Sequence, residues 1–171
     1  MERYKEHKWS GEKGKKFGHA GRVNDPYELA AGQEAAVCQD CHAVYQSKRW
    51  FFDENLYDKL AVAGKVRHVV CPTCRKIKDH YVEGYLTLGG EFWVQHQEEI
   101  VKLLEKEAAK VGKRSSADRI VQMIPEADNK LVVETTTEKL AQHLGPAIFK
   151  AYKGDLSFRW SEPRESGSSG R

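Results

Sequence analysis

The chain carries two Cys-x-x-Cys pairs, Cys38-Gln39-Asp40-Cys41 and Cys71-Pro72-Thr73-Cys74, and no other cysteine. A two-residue spacer lets both thiolates of one tight turn face a single ion, and two such turns close a tetrahedron. With sulfur at all four positions no coordination site is left for water, so the predicted site is structural rather than catalytic. The expectation is one structural zinc ion held by Cys38, Cys41, Cys71 and Cys74, since an all-thiolate set suits zinc. Disulfides would need an oxidising compartment. A thioredoxin-like redox pair would need a strand-to-helix turn in a βαβ unit, and the reading places neither pair there. An iron site is the remaining alternative. His42, His68 and His80 lie close by, but four thiolates already satisfy the metal, so these side chains are expected outside it.

The segment between the pairs is long for a zinc ribbon, and its pattern explains the length. Val44–Phe52 is β-favourable and aromatic. Asp53 can cap a short helix with Leu56, Leu60 and Ala63 on one face, and Gly64 is a plausible stop. Lys65–Val70 returns as a strand. A module this small has few apolar residues, so at least two of Trp50, Phe51 and Phe52 should pack against it.

A different grammar follows. Val82, Leu86 and Leu88 alternate with Tyr81, Glu83, Tyr85 and Thr87, as in a half-buried strand. Ile100, Leu103, Leu104 and Val111 form a helical stripe. Arg119–Ile124, a turn over Pro125–Asn129, and Lys130–Glu134 read as a hairpin. Thr135-Thr136-Thr137-Glu138 matches a capping box before a helix with Leu140, Leu144, Ile148 and Ala151 on one face. Gly145-Pro146 should kink or split that helix. Leu156, Phe158 and Trp160 alternate in a last strand. The order β-α-β-β-α-β is ferredoxin-like, with both helices on one face of a four-stranded antiparallel sheet. Tyr81 and Tyr85 would fall on the open face or pack under the zinc module, the second being preferred.

The expected class is therefore α+β: a basic flexible tail over residues 1–36, a four-cysteine zinc module over 37–79, a ferredoxin-like unit over 80–160 and a flexible end over 161–171. Charge is uneven across these parts. Residues 1–23 and 37–78 are each net +4, while 24–36 are net −3 and 79–171 net −2. Cations beside both cysteine pairs should converge once metal joins the turns, and with interleaved aromatics they suit phosphates and unpaired bases. Candidate nucleic-acid contacts are Lys48, Arg49, Lys65, Arg67, Arg75, Lys76 and Lys78. No RNP1-like pattern marks the third strand of the unit, so this is not an RNA-recognition motif.

No phosphate loop, His-Glu-x-x-His or Ser-His-Asp order is present, so no enzyme activity is expected. Glu98-Glu99 and His96 sit at a helix start, where acids complement the macrodipole. No apolar run approaches the ~20 residues that span a bilayer, and residues 1–21 are polar and basic, unlike a secretory leader. The reading is cytoplasmic, with no membrane partner.

The cysteine pairs, the segment Glu98-Glu99-Ile100-Val101-Lys102-Leu103-Leu104, and the run from Thr135-Thr136-Thr137-Glu138 through Leu144-Gly145 to Tyr152-Lys153-Gly154-Asp155-Leu156 carry a resemblance. Over roughly Val37 to Trp160 the chain resembles the large-ribosomal-subunit nuclear-export adaptor family, as a short relative of bacterial or archaeal type. The resemblance implies a zinc-dependent protein that binds the ribosome or its RNA. Longer members carry further cysteine pairs and β-rich domains for which this chain has no room, and Pro146 interrupts a usually continuous helix. The alternative function is a protein–protein adaptor in which zinc only shapes the surface.

Overall fold

The computed structural model describes residues 4–8, 35–64 and 66–161. In chain order the elements are β1 (Tyr4–Lys8), β2 (Ala36–Cys38), β3 (Val44–Gln46), β4 (Arg49–Phe51), α1 (Glu54–Ala63), β5 (Arg67–Val69) and α2 (Pro72–Lys78). There follow β6 (Gly84–Gly89), α3 (Glu91–Gln95), α4 (Gln97–Gly112), β7 (Ile120–Glu126), β8 (Lys130–Thr135), α5 (Glu138–Tyr152) and β9 (Ser157–Ser161). The class is mixed α+β, as the sequence predicted.

The first unit is a four-stranded sheet in the order β4-β3-β2-β5. The aromatic segment expected as one strand is a hairpin, because Ser47 and Lys48 both adopt positive φ and turn the chain between β3 and β4. Two such residues make the tight turn whose twist suits a hairpin. Asp53 does cap α1, accepting from the Leu56 N–H at 2.9 Å, and Gly64 ends it at φ 65°. α1 buries none of its side chains; Leu56 and Leu60 are only half-buried. β5 returns parallel to β2, pairing Ala36 with Arg67 and Cys38 with Val69.

The second unit has the chain order β-α-β-β-α-β with an extra turn of helix, α3, which the alternating pattern did not reveal. Its sheet runs β6-β8-β7. These are three of the four strands of the expected sheet. The last strand, β9, pairs antiparallel with β1 instead, Tyr4 facing Ser161 and Lys8 facing Ser157. Residues 4–8 thus form a strand where a tail was expected; residues 1–3, 9–34 and 162–171, with the rest of both expected tails, lie outside the described residues.

Helices α4 and α5 cover one sheet face. Leu86, Leu131 and Val133 from the sheet meet Trp93, Ile100, Leu104, Leu140 and Leu144 from the helices in one core. The helix expected to split at Gly145-Pro146 is one element. Pro146 lies inside it, although its ring both removes one N–H from the ladder and crowds the carbonyl four residues back, and Gly145 is buried where an added Cβ would approach Leu156 Cδ1 at 3.2 Å. The cap is also displaced from the predicted box. Thr137, not Thr135, caps α5, accepting from the Leu140 N–H at 3.2 Å. Thr135 is spent inside β8, where its buried hydroxyl reaches Gly84 O and Thr137 O. Tyr85 lies on the uncovered face and is 63% exposed, away from the first unit, whereas Tyr81, partly exposed, meets that unit at α2: its N–H donates to Lys76 O at 2.8 Å and Lys76 Nζ lies 5.6 Å from its ring centroid. No helix among the described residues is long and apolar enough to cross a membrane.

Candidate metal centre

The two cysteine turns come together because β2 and β5 are parallel neighbours and each runs directly into one of them. On the first, the Cys38 N–H donates to Ala43 O at 2.8 Å and the His42 N–H to Cys38 O at 3.0 Å, closing the turn with His42 at φ 61°. On the second, Cys71 is the N-cap of α2, with Pro72 in the first turn, where its missing N–H costs no helical bond. This second pair therefore sits at a strand-to-helix turn, contrary to the sequence reading. Pro72 and the small Thr73 let the helix begin inside the Cys-x-x-Cys spacer.

The Sγ atoms of Cys38, Cys41, Cys71 and Cys74 all lie within 4.8 Å of one another, a group that could hold one metal ion. Two of the separations are 3.8 Å, Cys38 to Cys74, and 3.7 Å, Cys41 to Cys71. A tetrahedron with thiolate arms of ~2.3 Å has edges of about 3.8 Å, so the donor set fits a four-coordinate ion. Backbone donors support the sulfurs: Cys71 N–H to Cys38 Sγ at 3.3 Å and Cys74 N–H to Cys71 Sγ at 3.4 Å. Without an ion the cluster cannot share out its charge evenly. The hydrogen bond from Cys71 lowers the Cys41 thiol to about 5, against the opposing effect of burial. The same contact, then burial, pushes Cys71 up. Burial raises Cys74 to about 11, against the opposing Arg119 hydrogen bond. A divalent cation removes that conflict, because it binds all four as thiolates.

Arg119, immediately before β7 in the second unit, was not a predicted site residue. Its Nη2 donates to Cys74 Sγ at 3.2 Å. Burial opposes its charge, but the hydrogen bond and the charges of the neighbouring cysteines outweigh it, so its pKa is raised. No local pattern marks this arginine; only the tertiary fold brings together residues that far apart in the chain.

The histidines stay outside the cluster. His42 stacks on Tyr57 with ring centroids 4.4 Å apart, His80 meets Glu134 at 3.2 Å, and His68 is exposed. Trp50 and Phe52 pack against the cysteines.

A cleft of about 360 Å³ opens beside the centre, along the seam between the two units. The β3–β4 hairpin contributes Lys48, Arg49 and Trp50, α2 contributes Thr73 and Lys76, and the segment after α4 contributes Arg114 and Ser115. Its described lining has four cations and no carboxylate. Three of the predicted nucleic-acid contacts, Lys48, Arg49 and Lys76, therefore meet there. Arg67, Arg75 and Lys78 do not line it, and Lys65 lies outside the described residues. Two of the predicted contacts are engaged with acids. Lys76 is 9% exposed and bonds Glu83 at 2.9 Å, and Lys78 meets Asp40 at 2.8 Å. Arg114 was missed, although Lys113-Arg114 at a helix end was a visible basic signal. Comparison with family models, curated proteins and solved structures gave no match, so the geometry carries the reading.

Proposed function

We propose that the chain is a zinc-stabilised, non-enzymatic binding protein that associates with ribosomal or other structured RNA. The observation that carries this reading is the seam cleft, in which cations from two units face one space without an acid among its described lining. Such a lining suits phosphate, and Trp50 beside it offers an aromatic edge to an unpaired base. Zinc is the ion that a closed set of four thiolates favours, and its role is to hold the hairpin and α2 in place. The lining offers no histidine or carboxylate as a general base, which argues against catalysis in the cleft. The resemblance to the export-adaptor family points to the same binding role, and the proposed compartment is the cytoplasm.

The test is co-sedimentation with ribosomes across a salt series, with R49E/R114E as the variant. Both arginines line the cleft. Lys76 and Lys78 are left intact, because reversing either would also break its bond to Glu83 or Asp40. If Lys48, Arg49 and Arg114 each meet a phosphate, log Kobs should fall with log salt at a slope of about −2. The variant should bind weakly at every salt concentration. Binding that ignores both salt and charge reversal would favour the protein-adaptor reading instead. Exposed Tyr85 on the open sheet face, and Phe92 and Val94 on α3, are the surfaces that reading would use.

A further inference from the structure

Residues 113–119 connect α4 to β7 and form one wall of the cleft through Arg114, Ser115 and Ala117. The opposite wall belongs to the metal-bearing unit. The connection is fastened firmly on its own side. Arg119 N–H donates to Thr136 Oγ1 at 2.9 Å, Thr136 N–H donates to Arg119 O at 2.9 Å, and Thr137 Oγ1 donates to Asp118 Oδ1 at 2.6 Å. Ser116 and Asp118 are buried. Towards the metal-bearing unit the fastenings are fewer: a long hydrogen bond, 3.4 Å, from Ser116 N–H to Trp50 O, and the Arg119 guanidinium on Cys74 Sγ. The second of these is charge-assisted and the stronger.

We infer that Arg119 is a positioning residue for the metal centre: held by Thr136 just after β8, it donates to the Cys74 thiolate and makes the shape of the cleft depend on the metal. Four thiolates around a divalent cation carry two surplus negative charges. A cationic donor on one sulfur offsets part of that surplus and orients the ligand, the work that partners of metal ligands do elsewhere. The dependence also runs the other way. Cys74 Sγ is a fixed acceptor only while the ion holds the four sulfurs together. When the ion leaves, the guanidinium loses its anchor, and among the described residues the wall carrying Arg114 keeps the weak Ser116 hydrogen bond to the hairpin. Arg119 Nε is buried and finds no hydrogen-bond partner among the described residues.

The test uses the zinc-loaded full chain and two readouts. One is the rate at which zinc passes to a chromophoric chelator. The other is amide hydrogen exchange over residues 114–118. R119M keeps the aliphatic stem but loses charge and donor. It should release zinc about tenfold faster or more, in line with losses seen when such partners are removed. It should also lose protection over 114–118, as should the wild type after chelation. R119K restores a cationic donor and should recover most of the wild-type release rate, which a role in packing alone would not produce. Wild-type release from R119M overturns the assignment, as does R119K releasing zinc as fast as R119M. So does a wild type that keeps its 114–118 protection after losing the metal. If R119M does not fold, R119Q takes its place under the same criteria. Neither readout involves RNA, so this inference and the proposed function can fail separately.

Discussion

The two units solve the same problem by opposite means. The second buries Leu86, Trp93, Ile100, Leu104, Leu131, Val133, Leu140 and Leu144 in one core. Each such side chain is worth roughly 1.5–3 kcal/mol when buried, so the sheet and helices hold one another. The first has no buried Leu, Ile or Phe among its described residues. Its buried apolar side chains are Ala36, Val37 and Val44 on the strands and, around the sulfurs, Ala43 and three cysteines, with Trp50, Phe52 and Val70 leaning on the sulfur cluster. A hydrophobic interior that small cannot offset the entropy of ordering its strands and helices. A bound ion can, since structural zinc in finger peptides contributes ~10–16 kcal/mol. One unit is therefore a folded domain that happens to touch a metal site, and the other is a metal site with a fold around it.

Removing the metal should expose this difference most visibly. C71S, or chelation of the wild type, should release the ion and abolish exchange protection over residues 36–78, while 84–112 and 120–155 stay protected. Mass spectrometry under native conditions and peptide-level hydrogen exchange read both halves of that outcome. A variant that retains stoichiometric metal, or loses protection in both units together, would contradict the contrast. The converse substitution is smaller in effect. L104A removes a side chain that is 1% exposed in the core and should cost about 2–5 kcal/mol, read by denaturant unfolding, with metal content unchanged. The smallest effect sits at the α4–α5 contact. There Glu107 bonds Lys110 and His143, and the Lys110 bond first, then His143, hold its carboxyl below the usual range against the opposing effect of burial. A lowered folded value means its stabilisation is present above the unfolded pKa and disappears as pH falls through the folded one. E107Q should therefore cost no more than about 0.5 kcal/mol at neutral pH after screening. The difference from wild type should vanish in acid, and a difference that persists there would rule out the ionic explanation.

Much of both units was legible because their signals are local. Spacing alone paired the cysteines, and Asp53 and Gly64 bounded α1 by their chemistry. Alternation located β6, the hairpin pattern located β7 and β8, and the apolar stripe located α4. What escaped was set by distant parts of the chain. The partner of β9 is β1, nearly the whole sequence away, and nothing in Leu156–Trp160 names it. Thr135 looked like the cap because Glu138 stands three residues on, yet tertiary packing gives its hydroxyl to Gly84 and leaves the cap to Thr137. Pro72 hid a helix start inside what read as a simple metal turn. Of the candidate site, the sulfurs were readable and the cleft was not. Arg114 reaches the cleft and Arg119 the Cys74 sulfur only because the second unit docks alongside, and Lys76, a surface cation by its sequence context, is buried against Glu83.

The parallel pairing of β2 with β5 sets a strict phase for the ligands. Side chains alternate across a strand, so deleting one residue from β5 would turn Cys71 to the wrong side of the sheet. Two-residue changes preserve the side but slide the sulfur by a full repeat. The excursion between those strands is under no such discipline. Beyond Cys41 it supplies no donor atom to the cluster, and near Val62, 87% exposed, it can lengthen into solvent without disturbing the ion. Tolerance to insertion should thus change sharply within a few residues, from the open end of α1 to the first rung of β5.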